Sequence, residues 1–95
     1  MARVVIFTRL VAREGRFDEL QAVLAQLTTA SRAEPGCEVF AVHAARDEAD
    51  VLLGYEVFRD DAALAEHRAS EAVARARERL DGLLVEPPTI TYALD

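Results

Sequence analysis

The stretch CEVFAVHAARDEADVLLGYEVFR, residues 37–59, decides how the chain folds. Two runs rich in β-branched and aromatic residues, 37–46 and 51–59, flank the polar turn DEAD at 47–50. Strand, polar turn and strand make a β-hairpin. Before it, EPG at 34–36 stops a helical pattern. Pro35 disfavours helix at Glu34, and Gly36 allows the positive φ that helix stops often use. After it, Asp60 or Asp61 can cap a helix by accepting the free amide hydrogens of the first turn.

Working outward from the hairpin gives the remaining elements. Residues 3–12, RVVIFTRLVA, read as a strand. Phe17, Leu20, Leu24, Leu27 and Ser31 recur at spacings of three and four, one face of an amphipathic helix. Past the hairpin, Ser70 divides a short helix near 61–69 from a longer one near 71–84, in which Val73, Ala76, Leu80 and Leu83 keep helical spacing. EPP at 86–88 breaks that helix, and TITYALD, 89–95, is the last strand. The order β-α-β-β-α-β is the ferredoxin-like split βαβ plan, an α+β fold with a four-stranded antiparallel-type sheet and helices on one face. One domain spans residues 1–95.

The composition excludes several function classes. The chain is 52% hydrophobic and 29% charged, which argues for a packed core and against disorder. A net charge of −6 lacks the basic stripe that nucleic acid requires, and it does not suit anionic membranes. The single cysteine, Cys37, permits no intrachain disulfide and no paired-cysteine zinc motif, so a cytoplasmic setting is expected. Arg9 and Arg13 interrupt the apolar N-terminal run, which lacks the form of a signal peptide. Two histidines without fixed spacing are a poor ligand set, and neither metal nor cofactor is expected.

The strands alternate poorly. A sheet with helices on one face and water on the other alternates apolar with polar residues. Here Val4, Ile6, Thr8 and Leu10 oppose Val5, Phe7, Arg9 and Val11, and Val51, Leu53, Tyr55 and Val57 oppose Leu52, Gly54, Glu56 and Phe58. Both faces are mostly apolar, and the helices can cover only one. The other face therefore needs a partner, and a homodimer is expected. Of the two faces of residues 51–58, the one with Val51, Leu53, Tyr55 and Val57 reads as the better core. Glu56 lies on the other face beside Gly54, as in the wall of a polar-floored pocket. A buried carboxylate there needs a partner or a proton. By parity His43 groups with Cys37, Val39 and Ala41.

The segments EPGCEVFAV, LLGYEVFRDDAALAEHRAS and LLVEPPTITY resemble the antibiotic biosynthesis monooxygenase family. The most specific pattern is E-x-F/W-x-D-x-x-A-L-x-x-H, met by Glu56, Phe58, Asp60, Ala63, Leu64 and His67. Phe40 matches an aromatic that the family places after the EPGC segment. The resemblance implies a dimeric α/β barrel with a small-molecule pocket. It also implies cofactor-independent oxidation of a small aromatic, a quinol or polyketide anthrone. The chain has no Trp and no Asn, which haem-degrading relatives use, so haem degradation is set aside.

His67 is the candidate base or oxyanion partner, since imidazole exchanges protons near neutrality, with Glu56 as the catalytic carboxylate that orients it. The structural alternative is a histidine bonded to backbone or to another carboxylate. Phe40, Phe58, Phe7, Arg9 and His43 are candidate substrate contacts, although each aromatic also fits plain core packing. Arg9 can pair with Glu56 from a neighbouring strand or face an anionic substrate. Two other functions fit the same residues: an isomerase or cyclase acting on a small carbonyl compound, and a non-catalytic dimer that holds a small ligand.

Overall fold

The computed structural model describes residues 2–95. Its elements are β1 (Val4–Val11), α1 (Phe17–Arg32), β2 (Cys37–Ala44), β3 (Val51–Phe58), α2 (Asp61–Arg68), α3 (Glu71–Leu80) and β4 (Thr89–Ala93). The strands form one open antiparallel sheet in the order β2-β3-β1-β4, the ferredoxin-like arrangement with its second helix split in two.

Local chemistry sets the helix boundaries. The Asp60 carboxylate accepts the Ala63 amide at 2.8 Å and starts α2. The Ser70 hydroxyl accepts the Val73 amide at 3.3 Å and donates to the His67 carbonyl at 2.7 Å, so one side chain starts α3 and closes α2. α3 ends at Leu80, short of the expected residue 84. Asp81 leaves helical geometry with ψ 124°, and Gly82 turns the chain at φ 82°.

The helices cover one face. Leu20, Val23 and Leu24 of α1 are buried against Leu10 and Leu52 of the sheet. Each such side chain contributes about 1.5–3 kcal/mol on leaving water. A second cluster joins Ile6, Phe40 and Phe58 to Ala63 and Leu64 of α2. The helix-covered face of β3 is thus Leu52, Gly54, Glu56 and Phe58, the reverse of the expectation. Leu53 and Tyr55 stand 44% and 39% exposed on the other side. The two faces are similarly apolar, so hydrophobicity did not rank them. Packing volume did: Gly54 faces Thr8 so closely that a β-carbon there would strike the threonine hydroxyl.

Two further expectations change. A bulge between Cys37 and Val39 puts Cys37 opposite Phe58 on the helix side, while Val39 pairs with Val57, so Cys37 does not share a face with Val39, Ala41 and His43. Gly36 is not at positive φ; the glycines that are, Gly15 and Gly82, lie elsewhere. Gly36 is required instead by close approach, because a β-carbon at that position would overlap the β-carbon of Ala63 in α2. Alanine cannot swing aside, so Gly36→Ala must push α2 off the sheet. The expected cost is about 1–3 kcal/mol, read as a lower urea midpoint at unchanged slope. An unchanged midpoint would show that α2 does not need this contact.

Candidate functional site

A cavity of about 170 Å³ lies between the helix layer and the sheet. Thr8 and Leu10 of β1, Phe40 and Val42 of β2, and Glu56 of β3 form its floor. Leu24 and Leu27 of α1, His67 of α2 and Val73, Ala76, Arg77 and Leu80 of α3 form its walls, with Pro88 and Ile90 at the β4 side. The lining is apolar apart from Thr8, Glu56, His67 and Arg77, a small set of polar groups in a concave apolar site.

His67 is 7% exposed. Its ring packs on Phe58 and Phe40, with centroids at 4.8 and 5.7 Å. Its Nδ1 is 2.8 Å from Oε1 of Glu34, in the loop after α1. A carboxylate that accepts from Nδ1–H leaves Nε2 as the basic nitrogen. Glu34 therefore takes the orienting role expected of Glu56. The EPG stop sets it beside α2, and its distance of 33 residues from His67 left no local signal in the sequence.

Glu56 is half-buried on the floor, opposite Ile6 and Phe40. Among the described residues no group hydrogen-bonds to its carboxyl. Burial pushes its pKa up to about 7; the Arg68 charge opposes the shift, and the Glu34 charge adds to it. Near neutrality it is thus present both as a neutral donor and as a carboxylate. Burial first, and then the Glu34 and Glu56 charges, push the Cys37 thiol up as well.

The cavity brings together His67, Glu56 and Phe40. Phe58 is fully buried and supports the His67 ring. Phe7, Arg9 and His43 are elsewhere: Phe7 pairs with Tyr55, and Arg9 and His43 both pair with Leu53, all on the opposite face of the sheet. Arg9 does not meet Glu56. It pairs with Glu48 at 2.7 Å and approaches Glu86 at 4.0 Å, because alternation puts the two residues on opposite faces. Among the described residues no three His, Cys, Asp or Glu side chains cluster as metal ligands do, and no helix is long and apolar enough to cross a membrane.

A sequence model of the antibiotic biosynthesis monooxygenase family matches residues 1–79, and the chain belongs to that family. It is 31% identical over 88 residues to Rv0793 of Mycobacterium tuberculosis, which is provisionally named a monooxygenase; the match covers 93% of this chain and 86% of that one. The solved structure of Rv0793 superposes with a TM-score of 0.92 at 29% identity, covering 98% of this chain and 94% of that one. PA3566 of Pseudomonas aeruginosa superposes with a TM-score of 0.94 at 27% identity, covering 100% of this chain and 95% of that one.

The raised pKa of Glu56 fixes the sign of a stability effect. The folded state holds this proton more tightly than the unfolded state, where the pKa is about 4.5. The contribution is complete below pH 4.5 and is lost as pH rises to about 7. The loss amounts to about 3 kcal/mol at most. Glu56→Gln, neutral at every pH, is expected to remove that slope and to be more stable than wild type at pH 8 in urea unfolding. Parallel wild-type and variant profiles would mean that Glu56 is not desolvated.

Proposed function

We propose that this protein is a cofactor-independent monooxygenase acting on a small aromatic in the cavity between sheet and helices. The observation that carries this reading is the convergence of an oriented imidazole, His67, and an elevated carboxyl, Glu56, on one apolar cavity. Family membership and the provisional name of Rv0793 support the oxygenase class.

In this reading His67 Nε2 removes a proton from the substrate, and Glu34 stabilises the resulting imidazolium through Nδ1–H. Neutral Glu56 donates a hydrogen bond to the substrate oxygen on which charge accumulates. The carbanion then reduces O₂. One oxygen atom stays on a ring carbon, and the other leaves as water with two substrate hydrogens. No external reductant is needed, because the substrate supplies the electrons. A cavity of 170 Å³ compares with the ~150 Å³ void that holds benzene in other proteins. It therefore suits a one-ring quinol better than a tricyclic anthrone, with larger substrates reaching out through the mouth.

The test is turnover of a panel of quinols and anthrones, with and without O₂, for wild type and His67→Ala. Oxygen-dependent turnover that falls by about 10²–10⁴-fold in the variant is expected. Turnover that ignores oxygen would instead favour proton transfer beside a carbonyl, an isomerase or cyclase activity. No turnover with any substrate would leave a ligand-binding protein. Activity is also expected to fall as pH rises through about 7, because Glu56 then loses the donated proton. Glu56→Gln keeps a donor and flattens that fall; activity that instead rises through the same range, with the rise abolished by Glu56→Gln, would make Glu56 the base.

The homodimer belongs to the same proposal, with the cytoplasm as its setting. Phe7, Leu53, Tyr55 and Val39 are exposed together on the face away from the helices, and the Phe7 and Tyr55 rings stack at 5.0 Å. A second copy seated there would bury them. Tyr55→Glu is expected to convert a dimer to a monomer in sedimentation equilibrium. A wild type that sediments as a monomer would refute the dimer.

A further inference from the structure

Arg77 takes no part in the proton chemistry above, yet it lines the same cavity. It shares the face of α3 that carries Val73, Ala76 and Leu80, at the spacing of neighbouring helical turns. Arg77, Leu80, Pro88 and Ile90 line both the cavity and the open groove outside it, so these four residues are the rim of its mouth. The Arg77 side chain is exposed there.

Its neighbours on α3 are engaged. Arg75 pairs with Glu71 at 3.4 Å, and Arg79 donates to Gln26 at 2.7 Å. Among the described residues Arg77 has no such partner, although Glu78, Asp81 and Glu86 border the outer groove. The rim is also set apart from the proton-transfer end. Ile90 pairs with Thr8, two residues along β1 from Ile6, which pairs with Glu56. Ile90 and Glu56 also lie on either side of β1, so two strand spacings add to the two residues along it and put their backbones roughly 12 Å apart, a span that suits a two-ring aromatic acid better than a single ring. A two-ring aromatic lying on Thr8 with one end at Glu56 would present its other end to Arg77.

We propose that Arg77 is a specificity-determining residue that selects aromatics carrying a carboxylate, with the ring in the cavity and the anion held at the rim. The inference rests on the reading of the cavity as the ligand site, and it narrows the substrate class to acidic aromatics. A guanidinium fits a carboxylate through two parallel N–H donors. In a chain of net charge −6, a preference for an anion has to come from a local cation. Arg77 also lies in the last turn of α3, where a cation favours the helix dipole. That role would change stability and leave ligand preference alone.

The experiment compares binding of 2-naphthoate and 2-naphthamide, which have nearly the same shape and differ in charge, by calorimetry at low and high salt. Wild type, Arg77→Gln, Arg77→Lys and, as a control, Arg75→Gln are measured. Wild type is expected to bind the carboxylate about five- to tenfold more tightly at low salt, with the margin shrinking as salt rises. Arg77→Gln is expected to lose the preference while keeping amide affinity, Arg77→Lys to retain part of it, and Arg75→Gln to match wild type. Equal wild-type binding of the two ligands, or a preference that survives Arg77→Gln, would overturn the role of Arg77 and leave the cavity as a ligand site. Binding of neither ligand would overturn both. Equal wild-type binding overturns the proposal even where a variant does not fold, and Arg77→Lys gives a second variant by which a wild-type preference is assigned to Arg77.

Discussion

The cavity exists because α3 rests on α1 and stands off the sheet. α1 packs directly on β2 and α2 touches β3, whereas the main neighbours of α3 are α1 and α2, with Ala76 joining Leu10 and Leu52 in the core. Its far end is tied back by the loop that follows. The Arg13 amide donates to the Leu83 carbonyl at 2.8 Å, and the Val85 amide to the Val11 carbonyl at 2.9 Å. The span between these anchors is left unfilled by the short side chains that line it: Thr8 below, Val73 and Ala76 above. Larger residues at those positions would give an ordinary closed core and no site.

This architecture gives two glutamates different chemistry. Glu34 has a hydrogen-bond partner in His67, so its charge is answered locally and serves to hold the ring. Glu56 has none among the described residues, and its burial favours the protonated form. The two are coupled, because the charge of Glu34 further raises the pKa of Glu56. In the proposed reaction His67 is the oriented base and Glu56 the proton-bearing acid, both lining one apolar cavity. That pairing suits the removal of a proton from a weakly acidic substrate and the stabilisation of the anion left behind.

Features set by neighbouring residues were legible in the sequence. The hairpin, the order of elements and the caps at Asp60 and Ser70 depend on local geometry, and the structure has them where the pattern put them. Parity in β3 also put Glu56 on one face with Gly54 and Phe58. The identity of the covered face was not legible, since Leu53 and Tyr55 are as apolar as Leu52 and Phe58 and await a different surface. The partner of His67 was not legible either, because Glu34 reaches it only through the packing of α2, which Gly36 permits by lacking a side chain. Nothing in the local sequence marks Arg77 among the charges of α3, and only the cavity distinguishes it from Arg75 and Arg79.

The most direct test of this account is the carboxyl ¹³C titration of Glu56 by NMR, without ligand and with 2-naphthamide present. The account predicts a midpoint near 7 in the free protein, displaced when the ligand occupies the cavity. A midpoint in the ordinary carboxylate range that the ligand leaves unmoved would contradict it, because Glu56 would then face water and the cavity would not be the site.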